Sequence, residues 1–188
     1  YVGFHALPKA LEGLAYQVQY CPVALGGILK AHNAPAPIQF EHKRNWIKRH
    51  TQWLAEQMGL PYTMPAAHPF NSVTWLRMAL ASNPHGQPSR AVVEQIFAAI
   101  WQTGRNPDDA DWQQANWHTI SHNLPDVRNP TSPEVKAELF ALGDEALQRG
   151  VFAVPTMVLL ANGEQPQQLF WGVDALPMLR AAVEQQQP

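Results

Sequence analysis

Cysteine is almost missing from this chain: there is one, Cys21, in 188 residues. An intrachain disulfide framework is therefore excluded, and so is a zinc site built on two or more cysteine ligands of this chain. Charge is also scarce, at 15% against a typical share of about 25%. Lys and Arg number 13 and Asp and Glu 15, so there is no basic field for nucleic acid and no polybasic membrane patch. No apolar run approaches the roughly 20 residues needed to span a bilayer. An initiating Met is lacking too. Whatever precedes Tyr1, a first strand or a targeting segment, is not legible. The remainder is ordinary: 46% hydrophobic residues, and a length that suits one domain or one domain with a large insertion.

Seventeen prolines and eleven glycines punctuate the chain. Val2 to Leu14 reads as a short helix with Phe4, Leu7 and Leu11 on one stripe, and Pro8 implies a kink or a late start. Tyr16, Val18 and Tyr20 alternate with Gln17 and Gln19, the period of a strand. Val23 to Ala31 reads as a helix loosened by Gly26 and Gly27, and Ala34-Pro35-Ala36-Pro37 as an extended loop.

From about His42 to Gly150 only helical patterns occur. They cover His42 to Gly59, Ser72 to Ala81, a segment after Pro88-Ser89 ending at Gly104, one from Asn106-Pro107-Asp108-Asp109 to His122, and one from Thr131-Ser132-Pro133-Glu134 to Gly150. Asn106 is the expected cap of the fourth, with Pro107 at its first position, and Thr131 with Glu134 has capping-box spacing. Thr156 to Leu160 is a short buried-type strand, Asn162-Gly163 a turn, and Gln168 to Trp171 a second strand, which together read as a hairpin. Leu176 to about Gln185 is a last amphipathic helix, and Gln185 to Gln187 a frayed end.

This order resembles an α/β thioredoxin-like fold with a large all-helical insertion and one N-terminal strand missing from the sequence. The expected division is a thioredoxin-like domain at 1–40 and 145–188, with an inserted helical domain at 41–144.

Three constellations invite chemistry. In Gly150-Val151-Phe152-Ala153-Val154-Pro155-Thr156, a cis Val154-Pro155 bond would leave Val154 with free main-chain groups able to pair an extended peptide. Alternatively, Pro155 only begins an edge strand. In Phe170-Trp171-Gly172-Val173-Asp174, the carboxylate of Asp174 either meets a ligand ammonium group, caps the final helix, or does both. The cluster Lys43, Arg44, Lys48 and Arg49 is either a solvated helix face or holds one anchor for a ligand carboxylate.

Leu25-Gly26-Gly27-Ile28-Leu29, Asn33, Pro35, Lys43, Pro69-Phe70-Asn71-Ser72 with Arg77, Gly150-Val151-Phe152 with Val154-Pro155-Thr156, and Phe170-Trp171-Gly172-Val173-Asp174 carry a resemblance in this order. The chain resembles the 2-hydroxychromene-2-carboxylate isomerases, bacterial relatives of kappa-class glutathione transferases in the DsbA-like branch of the thioredoxin fold. The likeness runs along essentially the whole chain, insertion included. Tyr1-Val2-Gly3-Phe4 looks like the family's Ser-Pro-Tyr motif entered at its third residue, which puts the expected catalytic serine two residues before Tyr1.

The resemblance implies glutathione as cofactor and assigns its contacts. Val154, before Pro155, pairs by backbone with the cysteinyl part. Val173 (by backbone) and Asp174 hold the γ-glutamyl end, and Asn33 and Lys43 face the glycine carboxylate or the acidic substrate. Trp46 and Trp171 are expected to be packing residues. The implied reaction is glutathione-dependent isomerisation of an aromatic carboxylate by reversible thiolate addition to a cis alkene. A cytoplasmic homodimer acting on a small molecule, with no nucleic-acid or membrane partner and no metal, completes the expectation. Departures from the family's pattern are Ala153 where glycine is common, Val173-Asp174-Ala175 where some kappa-class members have Ser-Asp-Arg, and His50 and Trp53 where an acid and an Arg are common. They bear on the substrate more than on the glutathione contacts.

Alternatives remain. His118 and His122 lie four apart on a helix, but no third metal ligand is evident. Cys21 reads as a small buried hydrophobe. A DsbA-like thiol-disulfide oxidoreductase needs a second cysteine where Val2 stands, which argues against it. A kappa-class-like glutathione transferase and a non-catalytic binding module complete the alternatives.

Overall fold

Caps and prolines decide where the helices begin. In the computed structural model, which describes residues 1–160 and 167–187, eight α-helices and a two-stranded sheet follow one another in the described residues. They are α1 (Val2–Ala10), α2 (Leu25–Ala31), α3 (Glu41–Gln57), α4 (Val73–Ala81), α5 (Arg90–Trp101), α6 (Ala110–Ser121), α7 (Pro133–Gln148), β1 (Thr156–Leu159), β2 (Gln168–Trp171) and α8 (Leu176–Glu184). Single 3-10 turns at Pro37–Gln39 and Val173–Ala175 precede α3 and α8. The expected turn at Asn162-Gly163 lies outside the described residues.

Side-chain caps open α5, α6 and α7. Ser89 Oγ accepts from Val92 N, Asp109 from Trp112 N, and Ser132 Oγ from Val135 N. Two of these correct the expected starts. Asn106 turns its oxygen to Asp108 N instead, leaving Asp109 as the cap of α6. Asn129 takes Thr131 N, so Ser132 caps α7 with Pro133 inside its first turn. Each such cap stabilises its helix by about 1 kcal/mol.

The sheet is antiparallel and pairs Thr156 with Trp171 and Leu159 with Gln168. The expected strand at Tyr16–Tyr20 does not form. No strand among the described residues pairs with it, so its alternation has no ladder to join. Tyr20 instead leans on the Phe4 ring, and its hydroxyl accepts from Arg90.

Burial follows the helical stripes. Trp75, Met78, Val92, Ile96, Ile100 and Ile120 join α4, α5 and α6, and the Trp75 indole donates to Pro107 O at 2.9 Å. Leu80 and Ala81 of α4 meet Val135 and Leu139 of α7. Further along, α7 lays Ala146 against Ile28 of α2 and Val151. Leu11, Phe170, Leu176, Leu179 and Val183 form the layer joining α1, β2 and α8. Each large side chain so buried contributes about 1.5–3 kcal/mol.

Some surface expectations change. Trp46 and Trp171 are more than half exposed, and each packs one side on an aromatic neighbour, Trp46 on His50 and Trp171 edge-on against Phe152. Cys21 lies at the surface. The Gln-rich end is held down, with Gln187 donating to Ala15 O.

Candidate functional site

Three segments meet at the first turn of α1. A Cβ built on Gly3 would lie 3.2 Å from Pro155 Cγ and 3.7 Å from Val173 Cγ2. A side chain there would crowd the Pro155 ring by a few tenths of an ångström, while Val173 would stay at ordinary contact distance. The Val154-Pro155 bond is cis, as expected, and so is His68-Pro69, which was not. Pro155 O accepts from Gly172 N at 2.9 Å, which ties the proline turn to the segment ahead of Asp174. Gly172 has φ +83°, a conformation that glycine takes without strain. Thr156 Oγ1 closes the turn by donating to Ala153 O at 2.7 Å.

Val154 stands outside this bracing. It is 38% exposed, and no hydrogen bond among the described residues uses its amide or its carbonyl. Asp174 lies in the 3-10 turn and is exposed. Neither that turn nor α8 has a side-chain cap, so Asp174 is not the cap of the final helix. Its carboxylate has no cationic partner among the described residues. The structure thus brings Val154, Pro155, Val173 and Asp174 together at the start of α1.

The other two expected residues are tied less closely. Asn33 follows α2 with φ +51°, which asparagine tolerates better than most residues. Its neighbour His32 places Nε2 3.3 Å from Val151 O, so the end of α2 borders the loop leading to Pro155. Lys43 is exposed on the first turn of α3, and no described contact joins it to that turn.

An aromatic wall continues the site away from Pro155. The Tyr1 hydroxyl donates to Pro61 O at 2.5 Å and accepts from Gln102 at 3.1 Å. Tyr62 stacks near Tyr1 (6.4 Å) and Trp101 (6.0 Å), and His68 packs on Trp101 at 5.8 Å. Burial raises the Tyr62 phenol, keeping it neutral. Burial, reinforced by Lys48, lowers His68. No spacing in the sequence reveals this wall, because its members come from three distant segments, around Tyr1, Tyr62 to His68, and Trp101; Gly3 was legible only as part of a motif.

The other candidates are quieter. The rings of His118 and His122 are 5.9 Å apart, and no group of three potential metal ligands occurs among the described residues. Desolvation and then Glu145 raise the Cys21 thiol, which opposes a reactive thiolate. No described helix is long and apolar enough to cross a membrane.

Comparison with known proteins bears on the whole chain. A solved structure of a 2-hydroxychromene-2-carboxylate isomerase, in selenomethionine form, shares the fold with a TM-score of 0.74 and 23% identity. The match covers 98% of this chain and 88% of that one. No curated protein matches significantly. The DSBA-like thioredoxin domain matches residues 1–184. The match runs through the helical segment and the hairpin alike, and the chain belongs to the DSBA-like thioredoxin domain family.

Proposed function

We propose that this protein is a glutathione-dependent isomerase of an aromatic carboxylate resembling 2-hydroxychromene-2-carboxylate. The observation that carries the reading is the junction at Gly3, where Pro155 and Val173 are seated against the start of α1. The groups on offer there fit an extended peptide with an amino-acid head. Among the described residues Val154 has no partner for its amide or carbonyl, which suits a strand-like pair, and Asp174 has no cationic partner, which suits an ammonium group. The start of α1 presents the positive end of its dipole, which favours a thiolate over a thiol. Bound glutathione would supply a thiol that adds reversibly to a conjugated alkene, allowing rotation about it. The neighbouring solved isomerase supports this reading through its shared fold.

Redox chemistry of the DsbA type fits less well. Val2 is a buried apolar residue where a second cysteine would stand, and Cys21 is the chain's one cysteine. The deciding experiment follows conversion of 2-hydroxychromene-2-carboxylate by absorbance, with and without glutathione. Turnover that needs glutathione is expected. Absence of turnover, or turnover indifferent to glutathione, sinks the reading.

A further inference from the structure

A recess of about 550 Å³ opens between α3 and the segment Tyr62 to Met64. Clefts that hold small molecules are commonly about 300–1,000 Å³. Its α3 wall carries Asn45, Lys48 and Arg49, and Tyr62 faces them. No acidic residue lines it. Neither cation takes part in the ion pairs of the described residues, which join Arg128 to Glu138, Arg149 to Glu145 and Arg180 to Glu184. Two adjacent cations without a counter-ion make a place where an anion is favoured, and an Arg fork pairs a carboxylate through two hydrogen bonds.

The surroundings are aromatic. Arg49 also borders a groove of about 210 Å³ formed with Trp46, His50 and Trp53. Trp46 lies 4.4 Å from the His50 ring, and Trp53 stacks on it at 6.2 Å and 16°. Both tryptophans are 52% exposed, which leaves flat surface beside the cation. A lone inorganic anion would use Lys48 and Arg49 but not these rings. The recess also borders the helix start described above, because Tyr62 stacks near Tyr1, two residues before Gly3.

We propose that Lys48 and Arg49 bind the carboxylate of a planar aromatic acid in this recess. Its identity as the substrate rests on the isomerase reading. Lys43, to which the resemblance gives a carboxylate, does not line the recess.

The test uses chromone-2-carboxylate, a flat and unreactive acid, with its uncharged carboxamide as comparison. Both are titrated calorimetrically into the full chain without glutathione. The acid is expected to bind at least about tenfold more tightly than the amide, and the double variant Lys48→Met, Arg49→Met to lose at least about tenfold of that affinity. Lys136→Met, on α7, serves as the charge control and should bind like the parent chain; a loss there equal to the double variant's overturns the site. Matched thermal unfolding shows that the variants fold. Equal binding of acid and amide, or no loss in the double variant, also overturns the site. If glutathione-dependent turnover is present while acid binding ignores Lys48 and Arg49, the site falls and the isomerase reading stands. If acid binding is lost in the double variant but the parent chain has no such turnover, the reading falls and the acid site stands.

Discussion

Gly3 and Pro155 are in contact across the whole helical insertion: they are far apart in sequence, yet a Cβ on Gly3 would come within 3.2 Å of the proline Cγ. That separation is tighter than a comfortable carbon contact. Two effects then oppose each other in Gly3→Ala. Replacing glycine inside a helix favours α1 by about 1 kcal/mol, while crowding the proline ring costs about as much or more. Thermal unfolding is expected to change little. Glutathione affinity, measured by calorimetry, is expected to fall, because the crowding is relieved by moving the turn that carries Val154. Retained affinity in a folded Gly3→Ala protein would show that the junction does not position the ligand.

Asp174 offers a cleaner separation of stability from binding. It caps no helix and pairs with no cation among the described residues. Asp174→Ala should therefore leave unfolding free energy within about 0.5 kcal/mol of the parent. Glutathione binding should weaken about tenfold, the worth of one charge-assisted hydrogen bond. An unchanged dissociation constant removes the assigned role.

Away from the site, Gly86 is the described glycine whose added Cβ would meet the nearest atom. Its φ is +67°, and a Cβ would land on the Glu138 carboxylate. Glu138 pairs with Arg128 at 2.7 Å, and Arg128 also donates to Leu80 O and Asn83 O. Gly86→Ala should destabilise the chain by about 2–3 kcal/mol in urea unfolding, by straining the backbone and displacing this network. A loss below about 0.5 kcal/mol would show that Glu138 moves aside freely.

His5 and His68 contribute to the acid side of the stability curve. Burial lowers both His5 and His68; Glu94 partly opposes this at His5, and Lys48 adds to it at His68. Each lowered base binds its proton more readily in the unfolded chain. Their contribution is thus fully present above the ordinary histidine value of about 6.5, and is lost as pH falls below it towards the folded values. Unfolding monitored between pH 7.5 and about 5 should show falling stability, and His5→Leu with His68→Leu should flatten that slope. An unaltered slope would assign the acid sensitivity to other groups.

What could be read in advance follows from how local each signal is. The Val154-Pro155 turn, the hairpin strands and the stripe from Val92 to Ile100 are written within a few residues, and they stand where expected. The helix starts at α6 and α7 shifted because Asn106 and Asn129 satisfy nearer amides first, a competition that spacing alone cannot rank. Tyr16 to Tyr20 alternates like a strand, but pairing belongs to a neighbour rather than to the segment itself. At the candidate site, Val154 and Asp174 were legible as motifs. The closeness of Gly3 to Pro155 and the stacking of Tyr62 near Tyr1 arise only from tertiary packing.

The placement of α7 has a thermodynamic consequence. Val135 and Leu139 belong to the interior of the helical insertion, and Ala146 to the layer beneath β1. One rigid rod is therefore shared between two hydrophobic interiors. Melting either interior withdraws a wall from the other, so the insertion and the proline-turn region share their cooperativity. A lesion far out in the insertion, at Gly86 or Arg128, is thereby felt at the turn that carries Val154.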